Sequence, residues 1–324
     1  MRKLLITISS ILIIPMTGYS GFNIGLINAA KKTVNKLDEK VQTKKSTALP
    51  SLTKLSEFGS YGSGNGQLDY PRAIFTDGLN LYVSDYNNYR IQKFDLTGNF
   101  ISWFGFKSGV PGYYTTGTSD FDSIPDSRNI YVDSNTYLSI LTVSGTHAIY
   151  KVNQVGANIG QLNLGNGQFS FTIDTLGRII SFNILGNVIT IYNQAGAVVT
   201  SFGGTGSSDG KFQPLVNIAE SVAVDASYNI YVADVGNNRI QKFDSNGNFL
   251  TKWDSNGSQT VTVDESNNIY ALGSGFKKYT SSGVLLKAYN QPACGDTTKQ
   301  IAVRSNKLYC ADESSNKVLV YQIP

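Results

Sequence analysis

The sequence predicts an all-β fold: a six-bladed β-propeller of four-stranded antiparallel blades, the last blade closed by an N-terminal strand. Three observations carry this expectation. The first is composition: among 324 residues there are 32 Gly, 19 Tyr and 16 Phe, with charged residues at only 15%, which favours short strands and many turns over long helices. The second is repetition. Phe58 to Gly105 and Phe202 to Trp253 share, in order, a Phe-Gly start, a Gly/Ser loop and a strand ending at Asp77 or Asp225. A second strand follows at Leu81-Tyr82-Val83 or Ile230-Tyr231-Val232, and then the string RIQKF at Arg90 to Phe94 or Arg239 to Phe243. The third is an imbalance at the chain ends. The last repeat has strands at 300–303, 307–311 and 317–321 but no fourth, whereas LTKLSEFG (Leu52 to Gly59) matches the outer strands yet has no inner strands of its own. Pairing that surplus strand with the last sheet closes the ring.

In chain order, Met1-Arg2-Lys3 supplies a positive start, Leu4 to Ile14 an apolar run, and Pro15 a break before small residues. That is the order of a secretory signal peptide over 1–20, with Gly18 and Ser20 as the small-x-small cleavage site and Ala29 or Ala30 as a second choice. The competing expectation is an uncleaved membrane anchor, since no charge lies between Lys3 and Lys31. Residues 21–50 read as a linker, Lys-rich from Lys31, and 51–324 as the propeller. Export implies a secreted, periplasmic or cell-surface location.

Within the body the second-strand centre is placed at Tyr82, Tyr131, Ile180, Tyr231, Tyr270 and Tyr309, giving six units. Each has short period-2 segments rich in Ile, Val, Tyr and Phe between Gly/Asn/Asp/Ser clusters, the pattern of successive hairpins. Such sheets are apolar on both faces and need neighbours to cover them.

These repeats resemble those of the NHL-repeat propellers. The resemblance rests on the Phe-Gly start, the loop Gly62 to Gln67, and the core D-x-x-N-x-R-[IV]-x-x-[FY], intact at Asp85, Asn88, Arg90, Ile91, Phe94 and at Asp234, Asn237, Arg239, Ile240, Phe243. Repeat six keeps Asp312, Lys317, Val318 and Tyr321 with Ser315 for Asn. In repeats two, three and five the stretches around His147-Ala148, Asn187-Val188 and Ser274-Gly275 stand in those places. The resemblance implies a six-bladed propeller acting as an interaction module.

The Asp and Arg of the core flank a tight turn, so the carboxylate is expected to accept turn N–H groups while the guanidinium bridges to it or to the adjoining blade. Repetition of the same groups marks them as structural rather than catalytic. No catalytic residue is assigned. Propeller lyases that resemble this fold use several histidines; a single one, His147, cannot build such a metal site. Calcium held by acids in an axial channel, as in gluconolactonase-like propellers, would draw on Glu220, Asp120 and Asp122, but no spacing selects them. DSNGN at Asp244 and DSNGS at Asp254 place Gly too early for a calcium loop and read as hairpin turns. No cofactor is expected, with calcium as the alternative.

Cys294 and Cys310 lie in repeat six, Cys310 at the position of Val83, Val132 and Val232; a disulfide and two free thiols are both open. The rims carry Tyr61, Tyr70, Tyr86, Tyr89, Tyr113, Tyr114 and Tyr228 among Ser, Asn and Gly, a composition suited to recognition or to packing between blades. Charge divides unevenly. Residues 1–50 hold eight Lys/Arg against two acids, and 51–324 hold nineteen against twenty-one, so the body is slightly acidic and nucleic acid is disfavoured as a partner. The expected function is a non-enzymatic recognition scaffold, monomeric, binding a protein, peptide or glycan on a propeller face, with membrane contact only through residues 1–30 if uncleaved. A calcium-dependent hydrolase or lyase is the alternative.

Overall fold

Short alternating segments between glycine- and asparagine-rich turns fold as hairpins, and successive hairpins build sheets whose two faces are both apolar. The computed structural model describes residues 49–324 apart from 89, 106–128, 133–137, 143–147, 153–157, 166, 214–220 and 295–299. The expected signal and most of the linker, with Tyr89, Tyr113, Tyr114, Asp120, Asp122, His147 and Glu220, lie outside the described residues.

In chain order β1 (Thr53–Phe58) comes first. Blade 1 holds β2 (Pro71–Thr76), β3 (Asn80–Asp85), β4 (Arg90–Asp95) and β5 (Phe100–Gly105). Blade 2 holds β6 (Asn129–Val132), β7 (Leu138–Thr142), β8 (Ala148–Val152) and β9 (Asn158–Asn163). Blade 3 holds β10 (Gln168–Ile173), β11 (Ile179–Asn183), β12 (Val188–Tyr192) and β13 (Val198–Gly203). Blade 4 holds β14 (Val222–Val224), β15 (Ile230–Asp234), β16 (Arg239–Phe243) and β17 (Phe249–Asp254). Blade 5 holds β18 (Thr260–Val263), β19 (Ile269–Gly273), β20 (Gly275–Tyr279) and β21 (Leu285–Tyr289). The last sheet holds β22 (Ile301–Arg304), β23 (Lys307–Asp312) and β24 (Lys317–Gln322), and is completed by β1.

The protein is thus an all-β propeller of four-stranded antiparallel blades. The described residues form six such sheets; side chains are described almost throughout five of them, and the sheet β6–β9 is described chiefly by its backbone pairing. The innermost strands touch in succession, β2 to β6, β6 to β10, β10 to β14, β14 to β18, β18 to β22 and β22 to β2. The seam falls where the surplus strand predicts it, with Ser56 opposite Val320 and Phe58 opposite Val318 in antiparallel register. Asn290, just past β21, binds the seam further by donating from its backbone N–H to the Pro50 carbonyl (3.0 Å) and from its side chain to the Leu49 carbonyl (2.7 Å).

The core is shared between blades. One buried cluster joins Leu81, Val83 and Phe94 of blade 1 to Tyr309, Val318 and Val320 of the last sheet; another joins Ile180, Phe182 and Ile191 of blade 3 to Val222, Val232 and Phe243 of blade 4. The Phe of each Phe-Gly start makes a second kind of contact. Phe58 lies on Gly98 in the outer turn of blade 1, and Phe202 lies on Gly247 in the same turn of blade 4. Both glycines have left-handed φ, +96° and +88°, and a Cβ on either would strike the phenylalanine ring.

The register corrects the second repeat. Aligning the third-strand starts Arg90, Ala148, Val188, Arg239, Gly275 and Lys317 through their second-strand partners Asp85, Thr142, Asn183, Asp234, Gly273 and Asp312 puts Ser139 at the position of Tyr82. Tyr131 lies instead in β6, the innermost strand, opposite Ser139, and Val132 with it, so Val132 is not the counterpart of Cys310. The tetrad Asn-Ile-Tyr-Val occurs both at 129–132, in a first strand, and at 229–232, entering a second strand; local sequence specifies a strand but not its rank.

Cys294 and Cys310 are bonded, both fully buried, tying the connection after β21 to β23 of the last sheet. A loop of 16 residues closed this way stabilises by about 3 kcal/mol in the chain-entropy model. Replacing both cysteines by alanine is therefore expected to lower unfolding stability by about that amount in denaturant titration; a double variant as stable as the parent would show that the bond contributes nothing.

Candidate functional site

Strand order fixes two rims. Turns between first and second strands, and between third and fourth, lie at one end of the blades, the lower face; turns between second and third strands, with the inter-blade connections, lie at the other, the upper face.

The repeat motif builds the upper face from within. In blade 1 the Asp85 carboxylate, fully buried, takes the Asp69 backbone N–H (2.6 Å) and the Asn88 amide (2.9 Å) on Oδ1, and Arg90 Nε (2.6 Å) and the Gln92 amide (2.9 Å) on Oδ2. Arg90 also donates to the carbonyls of Gly64 (2.8 Å) and Gln67 (2.9 Å), folding the incoming glycine-rich loop onto the blade. Blade 4 repeats this arrangement: Asp234 accepts from the Gln213 N–H, Asn237, Arg239 and Gln241, and Arg239 donates to the carbonyls of Ser207, Ser208 and Lys211. Burial lifts the Asp85 carboxyl above its ordinary value despite these donors. Gln92 and Gln241 belong to the site as fully as the arginines, since each also accepts a loop N–H, from Gly66 and Gly210 (both 2.9 Å). Their signal was the third letter of RIQKF, at the same offset in both copies.

Repeat six departs from the pair it was expected to form. Lys317 stands opposite Asp312 in register, but its ammonium bonds Glu57 of β1 (2.5 Å), while Asp312 is held by Ser314 and Ser315. Lys317 therefore serves the seam.

The rim tyrosines divide between the faces. Tyr61 is 71% exposed on the upper face; Tyr86 is half-buried there, and with Tyr70 it encloses the Arg72 guanidinium, 4.1 and 4.9 Å from the two ring centres. Tyr228 does not belong with them. It sits in the turn between β14 and β15, on the lower face, beside Arg178 of blade 3. Asp254 is corrected as well: it ends β17 and opens the connection to blade 5, whereas Asp244 does sit in a hairpin turn, bonded to Asn246 and Asn248.

On the lower face the inner-strand turns carry a feature that the strand-ending Asp77 and Asp225 only hinted at. Asp77, Asp225 and Asp264 each accept two backbone N–H groups on Oδ1, and an asparagine amide and a tyrosine hydroxyl on Oδ2. The tyrosines are Tyr82, Tyr231 and Tyr270, covered by Lys93, Lys242 and Lys278 from the third strands. Four donors occupy the four lone-pair sites of each carboxylate. Among the described residues no three acids, histidines or cysteines converge as metal ligands; Glu220, Asp120 and Asp122, on which the calcium alternative draws, lie outside them.

Residues 217–243 match the NHL repeat. The stretch takes in β14 to β16 and with them Asp234, Asn237 and Arg239. Over 150 residues the chain is 29% identical to Protein brain tumor of Drosophila melanogaster, covering 45% of this chain but 14% of that protein's length. Virginiamycin B lyase from Staphylococcus aureus shares the fold at a TM-score of 0.54 and 14% identity, over 81% of this chain and 83% of the lyase. A Bacteroides thetaiotaomicron protein of unknown function does so at 0.55 and 13%, over 84% of this chain and 75% of that one.

Two predictions follow from the geometry. Arg239→Ala leaves Asp234 buried without its cation and is expected to cost about 3–5 kcal/mol in chemical denaturation, whereas Lys317→Ala, in a pair about one-third exposed, costs under about 1 kcal/mol; equal effects would refute the distinction. Burial, aided by the neighbouring carboxylate, raises the hydroxyls of Tyr82, Tyr231 and Tyr270 above their ordinary value. Above about pH 10 the unfolded chain releases these protons and the folded one keeps them, so stability falls as pH rises through that range. Absorbance titration should show them ionising only as circular dichroism reports unfolding; ionisation in the folded protein at the ordinary value would contradict this.

Proposed function

We propose that the chain is an exported, six-bladed recognition scaffold without chemistry of its own, binding a protein, peptide or glycan on its upper face. The observation that carries this reading is where the repeat's charged groups are spent. The buried acids and arginines of blades 1 and 4 are saturated by their own turns and loops, so that none of these groups is poised as acid, base or nucleophile. What those networks fix in place is a rim of a glycine-rich loop bearing Tyr61 and Tyr70 and of the β3–β4 turn bearing Tyr86, large amphipathic groups that lose little entropy on contact. The match to an NHL repeat supports the same reading, and the likeness to lyases extends to the fold alone. The apolar run at Leu4 to Ile14 after Arg2-Lys3 supports export.

The test places a photocrosslinking amino acid at Tyr61, or in a separate variant at Leu79 on the lower face, and exposes the chain to envelope and supernatant proteins and glycans of the producing cell. A specific adduct from position 61 and none from 79 is the expected result. Adducts from 79 alone would move binding to the other face. Intact-mass analysis of exported protein should show a chain beginning at Gly21; a chain found only inside the cell would remove the export claim.

A further inference from the structure

The inner strands enclose a cavity of about 380 Å³ on the axis. Its lining runs from Gln300 and Ser221 at the inner end to the turn residues Asp77, Asp174, Asp225 and Asp264 at the lower face. At the inner end Gln300 reaches from β22 past β2 to β6, accepting from the Ile130 N–H (3.1 Å) and donating to its carbonyl (3.0 Å). The side-chain amide thus occupies both hydrogen-bonding groups of one residue on a strand edge that faces the axis. Gln300 thereby ties two inner strands together at that end, while the turn aspartates line the other, at the lower face.

Walls and mouth differ in chemistry. The walls include Phe75 and Tyr131, with ring centres 4.8 Å apart, together with Phe171, Val224 and Val263. At the mouth, Asp174 is paired with Arg178 (2.7 Å), and Glu265 is approached by Arg304 (3.9 Å). Asp77, Asp225 and Asp264 have no ion-pair partner among the described residues. Their hydrogen bonds are saturated and no cation touches them directly: Lys93, Lys242 and Lys278 lie over the tyrosines that bond them, and the Arg304 guanidinium lies beside Gly78, so the lining acids outnumber the one lining arginine. Burial pushes Asp77 up, yet the bonds from Asn80, Leu79 and Tyr82 outweigh it and hold the carboxyl below its ordinary value. An excess of negative charge around a recess concentrates the field at its opening and draws cations there.

We propose that this cavity binds a small amphiphilic organic cation, an ammonium on a short aromatic or aliphatic body, with the body among Phe75, Tyr131 and Phe171 and the charge toward the mouth. A bare metal ion is poorly suited, because the carboxylates have no free lone pairs to coordinate it. An ammonium needs none: it gains from the field of the three carboxylates and from ring faces. The size falls within the range of small-molecule sites. This site is separate from the upper-face reading and stands or falls independently of it.

The full chain is titrated calorimetrically with 2-phenylethylammonium, its anionic counterpart 3-phenylpropionate, and ammonium chloride. The expected result is one-to-one binding of the first alone, weakened about tenfold at high salt, where the screening length shrinks to about 3 Å. Thr262→Trp and Thr172→Trp, which fill the cavity from blades 5 and 3, should each abolish binding while melting stays cooperative; two variants guard against one that fails to fold. No heat at about 10 mM amine, equal binding of the anion, or binding unchanged in a folded filled variant would each overturn the proposal.

Discussion

Everything in this propeller depends on apolar surface that no blade can bury alone. A four-stranded sheet of this kind is apolar on both faces, and the buried clusters are accordingly made half from one blade and half from the next. The outer strands repeat the device at the periphery: Phe58, Leu162, Phe202 and Trp253 each lie on a turn glycine of the following blade, at Gly98, Gly196, Gly247 and Gly283. The contact ties sequence to architecture, because the aromatic or leucine fixes how far one blade leans on the next and the glycine is the residue that admits it. The sheet after blade 5 has no such turn, because its third strand β24 pairs with β1 from the other end of the propeller. Tyr289 is buried there within the cluster spanning both blades, and the disulfide and the Asn290 bonds add covalent and polar ties at the same junction. The ring is reinforced where its chain is discontinuous.

A second constraint acts on the upper face. The connections entering blades 1 and 4 are glycine-rich and each sinks one apolar residue, Leu68 or Phe212, into the core between blades, which anchors the loop at a point but leaves its backbone polar groups to be satisfied. Asp85 and Asp234 satisfy them by gathering arginine, asparagine and glutamine side chains whose remaining donors reach loop carbonyls. An unpaired buried carboxylate would be very costly, which makes each member of the set depend on the others. That interdependence is why the motif reads so clearly in blades 1 and 4.

The same logic explains where the sequence was legible and where it was not. The seam could be read because strands are countable: three at one end, one at the other, with Leu52 to Gly59 matching the outer-strand pattern. Blades 2 and 3 were faint because the arginine position holds the apolar Ala148 and Val188, which leaves no charged offset pattern to find. Tyr131 was misplaced because Asn-Ile-Tyr-Val suits an inner strand facing Phe75 as well as a second strand facing the next blade. Tyr228 and Asp254 carry ordinary turn chemistry, and which end of a blade a turn occupies is a property of strand order, not of the turn residues. The axial acids were half-visible: the inner strands of blades 1, 3, 4 and 5 each run into an aspartate, but the hydroxyl partner in blades 1, 4 and 5 lies on another strand, and in blade 3 Arg178 takes its place.

Strand order gives the two faces different capacities. Upper-face loops vary in length from blade to blade, and their side chains are fixed from beneath by a buried network, so they can change without disturbing the blades that carry them. Lower-face turns are short and bonded to their own aspartates, which leaves little freedom for a broad contact surface. What the lower face offers is field and depth: three aspartates without a direct ion pair among the described residues, around a recess of mixed apolar and polar lining. Broad recognition on one side and a small charged guest on the other need not compete, because the rigid inner strands separate them and each face is built from connections the other does not use.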